Sequence, residues 1–410
     1  MKKHTYRSKN VNQINWPELH GKLGGQAVIL AVDVAKAQQL ALLTTADGSV
    51  SQLLKWPLFE TVALIDELKR LNVPVDVVME ATGTYGDALR YQFRQAGFGL
   101  YHIHAKQVND AKEIYDGVAS LHDAKSACLI ARLHQQGCTR RWLELDEAAR
   151  ELSAARREYA IHQDQYDRNR NRLEAYLSRH WPEVLALVDL DSVTLEQLLI
   201  AYGSPQAVAA QAEVAAKQMK TWGGPLLGAD KIEQILLSAG QTLGVPCIDG
   251  ERRYLQALAR EMQHSRLAGK SAKAQIEAKV QAMADLQEMA RTVGKLTTGI
   301  LVSEHLDPRR FSTARSYVKA LGLNLKEKSS GQCQGRRGLS KRGSSMARKV
   351  LFLAALRLIQ NDPVIAQWYH AKAKPEAKMK TAVALQRKLA KALWHVARGA
   401  PFDATKLVTV

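Results

Sequence analysis

Cysteine is rare in this sequence and follows no metal-ligand spacing. The four cysteines are scattered over 410 residues and no CxxC pair occurs, so the sequence indicates neither a zinc knuckle nor a disulfide framework. This usage fits a reducing cytoplasm. The longest apolar runs, such as residues 27–32 and 350–356, are far too short to span a bilayer. The basic start, MKKHTYRSKN, has no apolar stretch behind it, so we expect no secretion signal.

Two phosphate-binding signatures are also missing. No GxGxxG follows the first predicted strand, and no GxxxxGK[ST] occurs anywhere in the chain. Both motifs cradle phosphates on backbone amides at the start of a helix. The sequence therefore gives no support to a dinucleotide site or a P-loop.

Acidic residues are scarce toward the C-terminus. Residues 325–398 hold 17 Lys and Arg but three acids, and the whole chain has a formal net charge of +18. Such an excess is typical of proteins that bind a polyanion, and nucleic acid is the first candidate. A membrane surface is the alternative, although no long cationic amphipathic stretch with bulky anchors is present. We expect a nucleic-acid partner and no membrane.

The first half of the chain has the pattern of an α/β domain. The hydrophobic share of 46% and the length of 410 residues predict two or three folded domains. After a basic tail over residues 1–25, residues 26–142 predict the order β-β-β-α-β-α-β-α, with strands at 26–34, 38–44, 49–54, 75–80 and 99–104 and helices at 59–71, 88–96 and 106–136. A three-strand meander followed by alternating helices and strands favours a ribonuclease-H-like (RuvC-like) fold over a doubly wound nucleotide fold.

The rest of the chain is predicted to be all-α. Residues 143–288 form a helical, coiled-coil region with an insertion at 190–250, and residues 289–410 form a mainly helical C-terminal domain. The first long helix repeats apolar and aromatic side chains every seven residues, at Leu145, Leu152, Tyr159, Tyr166 and Leu173. This is half of a coiled-coil seam, and it is equally typical of a long helix that packs on its own chain. A second long helix is predicted over residues 250–292, with a break near Gly269.

Three acids lie on elements that such a fold would bring together. Asp33 and Glu80 each end a predicted buried strand, and Asp123 lies on or near a later helix. In a ribonuclease-H-like sheet the first and fourth strands are neighbours, so the three carboxylates would share one crevice. Clustered carboxylates repel one another unless a cation screens them, and hard divalent ions take oxygen ligands. The sequence predicts a site for Mg²⁺ or Mn²⁺; each acid taken alone is typical of a cap or a solvated strand end.

A second candidate site lies in residues 326–343, KEKSSGQCQGRRGLSKRG. Ser329 and Ser330 precede a glycine, and four cations follow them: Arg336, Arg337, Lys341 and Arg342. A hydroxyl among positive charges on a glycine-rich backbone suits attack on a phosphodiester. The same composition is typical of an ordinary turn and of a nucleic-acid contact loop. Aromatic residues further on, at Trp368, Tyr369 and Trp394, have the helical spacing of core residues more than that of a base-stacking platform.

Several motifs, taken together, resemble one known family. AVDVAK at 31–36, VVMEATGTY at 77–85 and HDAKSACLIARL at 122–133 are similar to the three segments of the RuvC-like DEDD domain of bacterial insertion-sequence transposases. RFSTARSYVKALGL at 310–323, the Ser-Ser-Gly turn and GLSKRGSSMARKVLFLAAL at 338–356 resemble the C-terminal domain of the same family. The resemblance covers both ends of the chain in the right order and leaves residues 190–250 uncovered.

The resemblance implies a recombinase that excises and inserts its element through a serine nucleophile. It implies Ser330 as that nucleophile, because the family's serine directly precedes the glycine, and Asp33, Glu80 and Asp123 as the carboxylates. It also implies a structured guide RNA, donor and target DNA, and a homodimer or homotetramer that brings the serine and the carboxylates together. Such a bacterial enzyme would act in the cytoplasm, on the nucleoid.

The sequence departs from the family in its third segment. That segment usually reads D-x-x-D-A, whereas this chain has DAKSA at 123–127, so a serine replaces the fourth acid. Positions three apart on a helix share a face, so Ser126 would still offer a neutral oxygen beside Asp123. Asp116 is the alternative donor. The loss of one carboxylate is expected to weaken metal binding or to change the number of ions.

We interpret the chain as a transposase that exchanges DNA strands, with three alternatives. The first is a RuvC-like nuclease in which water attacks the phosphodiester and Ser330 is only a loop residue. The second is an inactive relative that binds nucleic acid, and the replacement at Ser126 is the feature that favours it. The third is an actin-like ATPase, which shares the meander and the first-strand Asp but needs glycine-rich phosphate loops that this sequence lacks.

Overall fold

Seven strands form one sheet in the part of the chain described by a computed structural model, residues 6–80, 83–330 and 333–409. They are β1 (Lys9–Asn10), β2 (Val28–Asp33), β3 (Gln38–Thr45), β4 (Ser51–Pro57), β5 (Val75–Glu80), β6 (Gly99–Ile103) and β7 (Arg140–Arg141). Their order is β1-β4-β3-β2-β5-β6-β7. β2, β3 and β4 are an antiparallel meander, β5 runs parallel to β2, and β6 runs parallel to β5. The five predicted strands are confirmed.

The sheet belongs to the first of two compact units, Met1–Glu144 and Leu145–Val410. Side chains alternate across a strand, so Leu30 and Val32 enter one hydrophobic cluster while Ile29 and Ala31 enter another. The first face packs on α1 (Trp16–Leu23), α2 (Thr61–Arg70) and α3 (Asp87–Gln95), and the second on α4 (Ala105–Asp110) and α5 (Asp123–Gln135). The first unit is therefore a sheet with helices on both faces.

The N-terminal segment differs from the predicted basic tail. From residue 6 onward it is part of the first unit, where β1 pairs with β4 and α1 packs on the sheet. Trp16, Leu19 and Leu23 are buried, at the spacing of one helical face. Asn15 caps this short helix and Gly24 ends it in a left-handed conformation. Three apolar residues in a polar stretch are too few to predict this contact, which the sheet creates.

Helices make up most of the second unit. They are α6 (Glu147–His180), α7 (Val184–Leu187), α8 (Val193–Tyr202), α9 (Pro205–Ala210), α10 (Ala212–Gly223), α11 (Ala229–Gly240), α12 (Asp249–Ala282), α13 (Gln287–Val293) and α14 (Lys295–Ser303). α15 (Ala314–Ala320), α16 (Ser345–Asn361), α17 (Pro363–Lys372), α18 (Lys378–Val396) and α19 (Ala404–Thr409) follow. In the described part of the chain, no helix has both the length and the apolarity needed to cross a membrane.

The heptad face of α6 packs against α12 of the same chain. Leu152 lies in a cluster with Ile276, and Leu173 lies in a cluster with Leu255, so the two helices run antiparallel. The seven-residue spacing is thus used within the chain. α12 continues through Gly269, contrary to the predicted break, and ends at Ala282 rather than near 292.

Most of the insertion at 190–250 is helical. It packs on the C-terminal end of α6 and the N-terminal end of α12. Its α8 carries Glu196, which is 2% exposed. The Arg266 guanidinium of α12 donates to Glu196 through Nη2 at 2.8 Å and through Nε at 3.1 Å. This bidentate pair ties the insertion to the long helix.

The last part of the second unit surrounds one hydrophobic cluster of α13 to α19, with Tyr317, Leu351 and Leu389 at its centre. Gly294, at a φ of +88°, separates α13 from α14. Leu286, Ala290 and Val302 also pack with Leu152 of α6, so the segments predicted as domains 143–288 and 289–410 share a core.

The segment predicted as a serine loop contains two strands, β8 (Leu325–Ser330) and β9 (Cys333–Leu339), which pair antiparallel. The register shifts between Lys328 and Ser330, which marks an irregularity of the β-bulge kind. A run of glycine, serine and charged residues does not alternate in hydrophobicity, and for this reason the pattern did not predict strands.

Candidate active site

Asp33 and Glu80 end two neighbouring parallel strands. β2 and β5 pair in register through Val32 and Met79, and the two acids are the next residues along each strand. Asp33 shares the side of β2 used by Ile29 and Ala31, and Glu80 shares the side of β5 used by Val78. Both carboxylates therefore belong to the face of the sheet that α5 covers, at its carboxyl edge.

The first turn of α5 brings Asp123 and Ser126 to this edge. His122 is the N-cap, and its Nδ1 accepts a hydrogen bond from the Lys125 backbone N–H at 3.3 Å. Asp123 is the first residue of the helix and is exposed, while Ser126 is 4% exposed. Residues three apart share a helical face. His122 thus has a structural role as a cap.

The electrostatics show that these residues are close together. Burial is the first cause that raises the pKa of Asp33 to about 6, and the negative charges of Asp123 and Glu80 raise it further. The Ser126 hydroxyl opposes the rise, as a hydrogen-bond partner of the Asp33 carboxylate. Burial also raises the pKa of Glu80. The structure therefore brings Asp33, Glu80, Asp123 and Ser126 together at one edge of the sheet.

The donor set is that of a hard divalent cation. Carboxylate and hydroxyl oxygens are the ligands that Mg²⁺ and Mn²⁺ prefer. A bound cation would offset the mutual repulsion that, after burial, raises the pKa of Asp33. Among the described residues, no three His, Cys, Asp or Glu side chains converge closely enough to hold a metal ion as they stand. The chemistry fits such an ion, and full coordination would require side-chain adjustment.

Asp116, the alternative fourth donor, is engaged elsewhere. The ammonium of Lys125, whose side chain is 4% exposed, donates to Asp116 Oδ1 at 2.9 Å and to the Val118 carbonyl at 2.7 Å. Asp116 also accepts from the Val118 N–H, and the hydrogen bond from Lys125 is the first cause that lowers its pKa. Asp116 and Lys125 line a cavity of about 230 Å³ beside α5, together with Tyr6, Tyr115 and Arg132. The structure favours Ser126 over Asp116 at the Asp33 carboxylate.

One supporting residue was missed by the sequence interpretation. Gln39 is 1% exposed on β3, and its side-chain amide forms two hydrogen bonds with the backbone of Ala35. Nε2 donates to the Ala35 carbonyl at 2.7 Å, and Oε1 accepts from the Ala35 N–H at 3.1 Å. These two hydrogen bonds hold the turn that follows Asp33. A glutamine inside an apolar strand was the available signal.

Three exposed residues follow β2, β5 and β6 along the chain. Lys36 is exposed in the turn after β2, and His104 is exposed directly after β6, beyond the paired residues Glu80 and Ile103. Tyr85 is 59% exposed. Each has solvent access near the carboxyl edge of the sheet, which is what contact with a substrate requires.

The second candidate site is described only in part. Ser330 ends the backbone of β8, but its side chain, like those of Ser329, Arg336 and Arg337, lies outside the described part of the structure, as does all of Gly331. Lys341 and Arg342 are exposed beyond β9, and neither has an ion-pair partner among the described residues. Both cations are thus available to an anion.

Two other serines near the hairpin, Ser340 and Ser344, have structural hydrogen bonds. The Ser340 hydroxyl donates to Asn324 Oδ1 at 2.5 Å, and the Ser340 N–H donates to the Asn324 carbonyl at 2.8 Å. Ser344 caps α16 and accepts from the Ala347 N–H at 3.1 Å. Both hydroxyls hold the base of the hairpin and the start of the next helix.

Two family models match the chain. A model described as a transposase, of the DEDD IS110 type, matches residues 30–182, and a model described as transposase IS116/IS110/IS902 family matches residues 286–370. The first range contains the four residues at the sheet edge, and the second contains the β8–β9 hairpin. No curated protein matches the chain. The matched models, the order of their segments and the residues they cover place this chain in the RuvC-like DEDD family of insertion-sequence transposases, which act on DNA.

Proposed function

We propose that the protein is a site-specific DNA recombinase that cuts and rejoins the ends of an insertion sequence through Ser330. Asp33, Glu80 and Asp123 form the metal-binding half of its active site, and Ser126 stands in for the fourth acid. The observation that carries this proposal is the carboxylate cluster at the edge of the sheet, where burial, followed by the charges of Asp123 and Glu80, raises the pKa of Asp33 to about 6. Such a cluster is costly to maintain and is typical of a catalytic site.

The sheet supports a ribonuclease-H-like (RuvC-like) assignment for the first unit. Its central order, β4-β3-β2-β5-β6, combines an antiparallel meander with two further strands parallel to β2. In this arrangement the first and fourth predicted strands are neighbours, and α5 covers the face that carries both strand-end acids. This topology supports the proposal that Asp33 and Glu80 act together in one site.

In the proposed reaction the Ser330 hydroxyl oxygen attacks a DNA phosphorus. An O–P bond to serine forms, one DNA ester bond breaks, and the serine proton balances the departing DNA oxygen. The resulting phosphoserine keeps the energy of the ester for the rejoining step. A divalent cation held by Asp33, Glu80 and Asp123 would supply Lewis-acid stabilisation of the charge that develops on the phosphate.

The cations of the hairpin segment would hold the DNA backbone during this step. Lys341 and Arg342 are exposed, and Arg336 and Arg337 lie on β9, opposite Lys328 and Glu327 in the strand register. Bonds to phosphate oxygens position a duplex without reading its sequence. A structured guide RNA would then select the donor and target sites, and the net charge of +18 suits two nucleic-acid partners.

Ser330 and the carboxylates belong to different compact units, Leu145–Val410 and Met1–Glu144. The proposal therefore requires the two units of one chain, or of two subunits in a homodimer or homotetramer, to meet at one phosphate. We place this reaction on the DNA of the bacterial nucleoid, in the cytoplasm.

A covalent adduct tests the proposal. The purified protein is mixed with element-end DNA, the RNA encoded in the element and Mg²⁺, and a denaturing gel is used to detect labelled DNA that migrates with protein. Ser330→Ala is expected to abolish the adduct. Ser345→Ala is the matched control, because Ser345 is exposed at the start of α16, and it should leave the adduct intact.

One observation favours a hydrolytic nuclease as the second candidate: the carboxylate cluster is complete within the first unit, without any residue of the second. In that case the gel would show Mg²⁺-dependent cleavage with free DNA ends. The Ser330→Ala protein would then cleave the DNA to the same extent as the unchanged protein. That result would rule out the serine mechanism. Tight binding with neither adduct nor cleavage would indicate the inactive relative.

A further inference from the structure

Two lysines from different helices converge on one tryptophan. Lys372 lies one helical turn after Trp368 on α17, and its Nζ is 5.6 Å from the centre of the Trp368 ring. Lys388 comes from α18, and its Nζ is 5.9 Å from the same ring. Lys391 lies one turn further along α18 and is exposed. These four residues, Trp368, Lys372, Lys388 and Lys391, are called the Trp368 cluster below.

The cluster is held on a rigid support. Asp362 caps α17 by accepting from the Val364 and Ile365 N–H groups at 3.0 and 3.1 Å. The Tyr369 hydroxyl donates to the Lys378 carbonyl at 3.3 Å and so ties the end of α17 to the start of α18. Trp368 itself packs on the hydrophobic cluster of the C-terminal helices. The fold therefore holds the Trp368 ring and the two helices that carry the lysines in a defined arrangement.

The positive charge of the cluster is not neutralised. Among the described residues, no carboxylate forms an ion pair with a lysine of α17 or α18, whereas Lys125 and Lys279 elsewhere are each paired with an acid. Burial, followed by the charges of Lys372 and Lys391, lowers the pKa of Lys388. The indole face attracts cations, but like charges still repel one another, and an anion that bridges them would relieve that repulsion.

We propose that the Trp368 cluster is a second nucleic-acid site, in which Lys372, Lys388 and Lys391 contact the phosphate backbone. Trp368 and Lys388 are half-buried, whereas Lys372 and Lys391 are exposed. Because two ammonium groups lie over the Trp368 ring, the cluster offers cations to a partner and no free aromatic face, so the site binds phosphates and does not stack bases. The inference rests on nucleic acid as the partner in the proposed function, but it is independent of Ser330 and of the carboxylates.

The salt dependence of binding tests the proposal. Fluorescence anisotropy is measured in EDTA, with a labelled duplex DNA and separately with a labelled RNA hairpin, over a range of salt concentrations. Each lost phosphate contact makes the slope of log K against log salt less negative by about 0.9 for duplex DNA. Lys372→Gln with Lys388→Gln should therefore make the slope less negative by about 2 and weaken binding about tenfold.

Two control proteins make the result specific. Lys217→Gln with Lys220→Gln removes the same charge from exposed positions of α10 and should keep the slope. Lys372→Arg with Lys388→Arg keeps the charge and should restore it. Circular dichroism melting of each variant checks that the fold is retained.

The outcomes separate the sources of phosphate. A change in both arms supports a general backbone site, and a change in the DNA arm or the RNA arm alone supports the site and identifies its ligand. Equal slopes for the cluster variant and the α10 variant would overturn the proposal. So would a cluster variant that keeps its nucleic-acid binding but loses binding to phosphatidylserine vesicles measured in parallel. The anisotropy assay contains EDTA, which prevents metal-dependent chemistry, so its result does not depend on formation of the covalent adduct. A missing adduct in the gel with Mg²⁺ would refute the serine mechanism and leave the Trp368 cluster proposal intact.

Discussion

Asp33 and Glu80 lie side by side, one residue beyond the last positions at which β2 pairs with β5, and project from the same face of the sheet. Adjacent strands are about 5 Å apart, so the two carboxylates repel each other as long as both are charged. Asp123, at the start of α5, adds a third negative charge. The protein therefore stores an unfavourable interaction at this edge, and the first predictions follow from it.

Asp33→Asn is expected to stabilise the metal-free protein at neutral pH. The folded-state pKa of Asp33, about 6, lies above its ordinary value of 3.8, so its contribution to stability is present below pH 4 and is lost as the pH rises through 6. Because water screens this partly exposed carboxyl, the variant should gain on the order of 1–2 kcal/mol above pH 6 and almost nothing at pH 4. Denaturant unfolding in EDTA over this pH range measures the difference. A constant difference at all pH values would contradict the assigned environment of Asp33.

Mg²⁺ should stabilise the unchanged protein and do so less in the carboxylate variants. A ligand that binds only the folded state adds about 2.7 kcal/mol at a hundred times its Kd. Thermal melting with increasing Mg²⁺ should show a rise in Tm that is lost in Asp33→Asn and reduced in Asp123→Asn. Asp66→Asn is the control, because Asp66 is exposed on α2. If Asp66→Asn reduced the response as much as Asp33→Asn, the ion would be bound elsewhere.

Ser126→Asp restores the acid that the family usually has at this position. Ser126 is 4% exposed and sits beside Asp33, so a new carboxylate there adds a like charge to a buried cluster. We expect a lower Tm than the unchanged protein in EDTA and a larger rise with Mg²⁺. Ser126→Asn introduces the same size without the charge, so it should show the packing cost alone. A Ser126→Asp protein that gains nothing from Mg²⁺ would show that residue 126 is not a donor position.

The strand-end acids were predictable because their signal is local. A buried strand reads as a continuous apolar run, and β5 was predicted with its observed bounds, Val75–Glu80, with its acid at the end. The proximity of Ser126 to Asp123 also follows from helical spacing. The partner of Lys125 was not predictable, because Asp116 lies in an irregular segment whose path depends on tertiary contacts.

At Gly269 the local sequence signal led to a wrong prediction, a break in the second long helix. Glycine is unfavourable inside a helix by about 1 kcal/mol relative to alanine, and a break was predicted there. The helix continues because Gly269 lies where α12 approaches α6, and a Cβ built on it would be 3.6 Å from the Cβ of His162. Packing between the two long helices outweighs the local preference.

Gly343→Ala is expected to disrupt the base of the hairpin that carries Ser330. Gly343 has a φ of +153°, and a Cβ at this position would lie 2.3 Å from the Ala320 carbonyl oxygen, which is fixed backbone. A strained, clashing residue of this kind costs on the order of 1–3 kcal/mol, and it would shift Ser340 and Lys341 relative to α15. Thermal melting should show a clear fall in Tm, and the yield of the covalent adduct should fall with it. Gly338→Ala on β9 is the matched control, since a Cβ there meets nothing within 4 Å. A larger fall in Tm for Gly338→Ala than for Gly343→Ala would contradict the prediction and place the sensitive contact in the strands instead of the hairpin base.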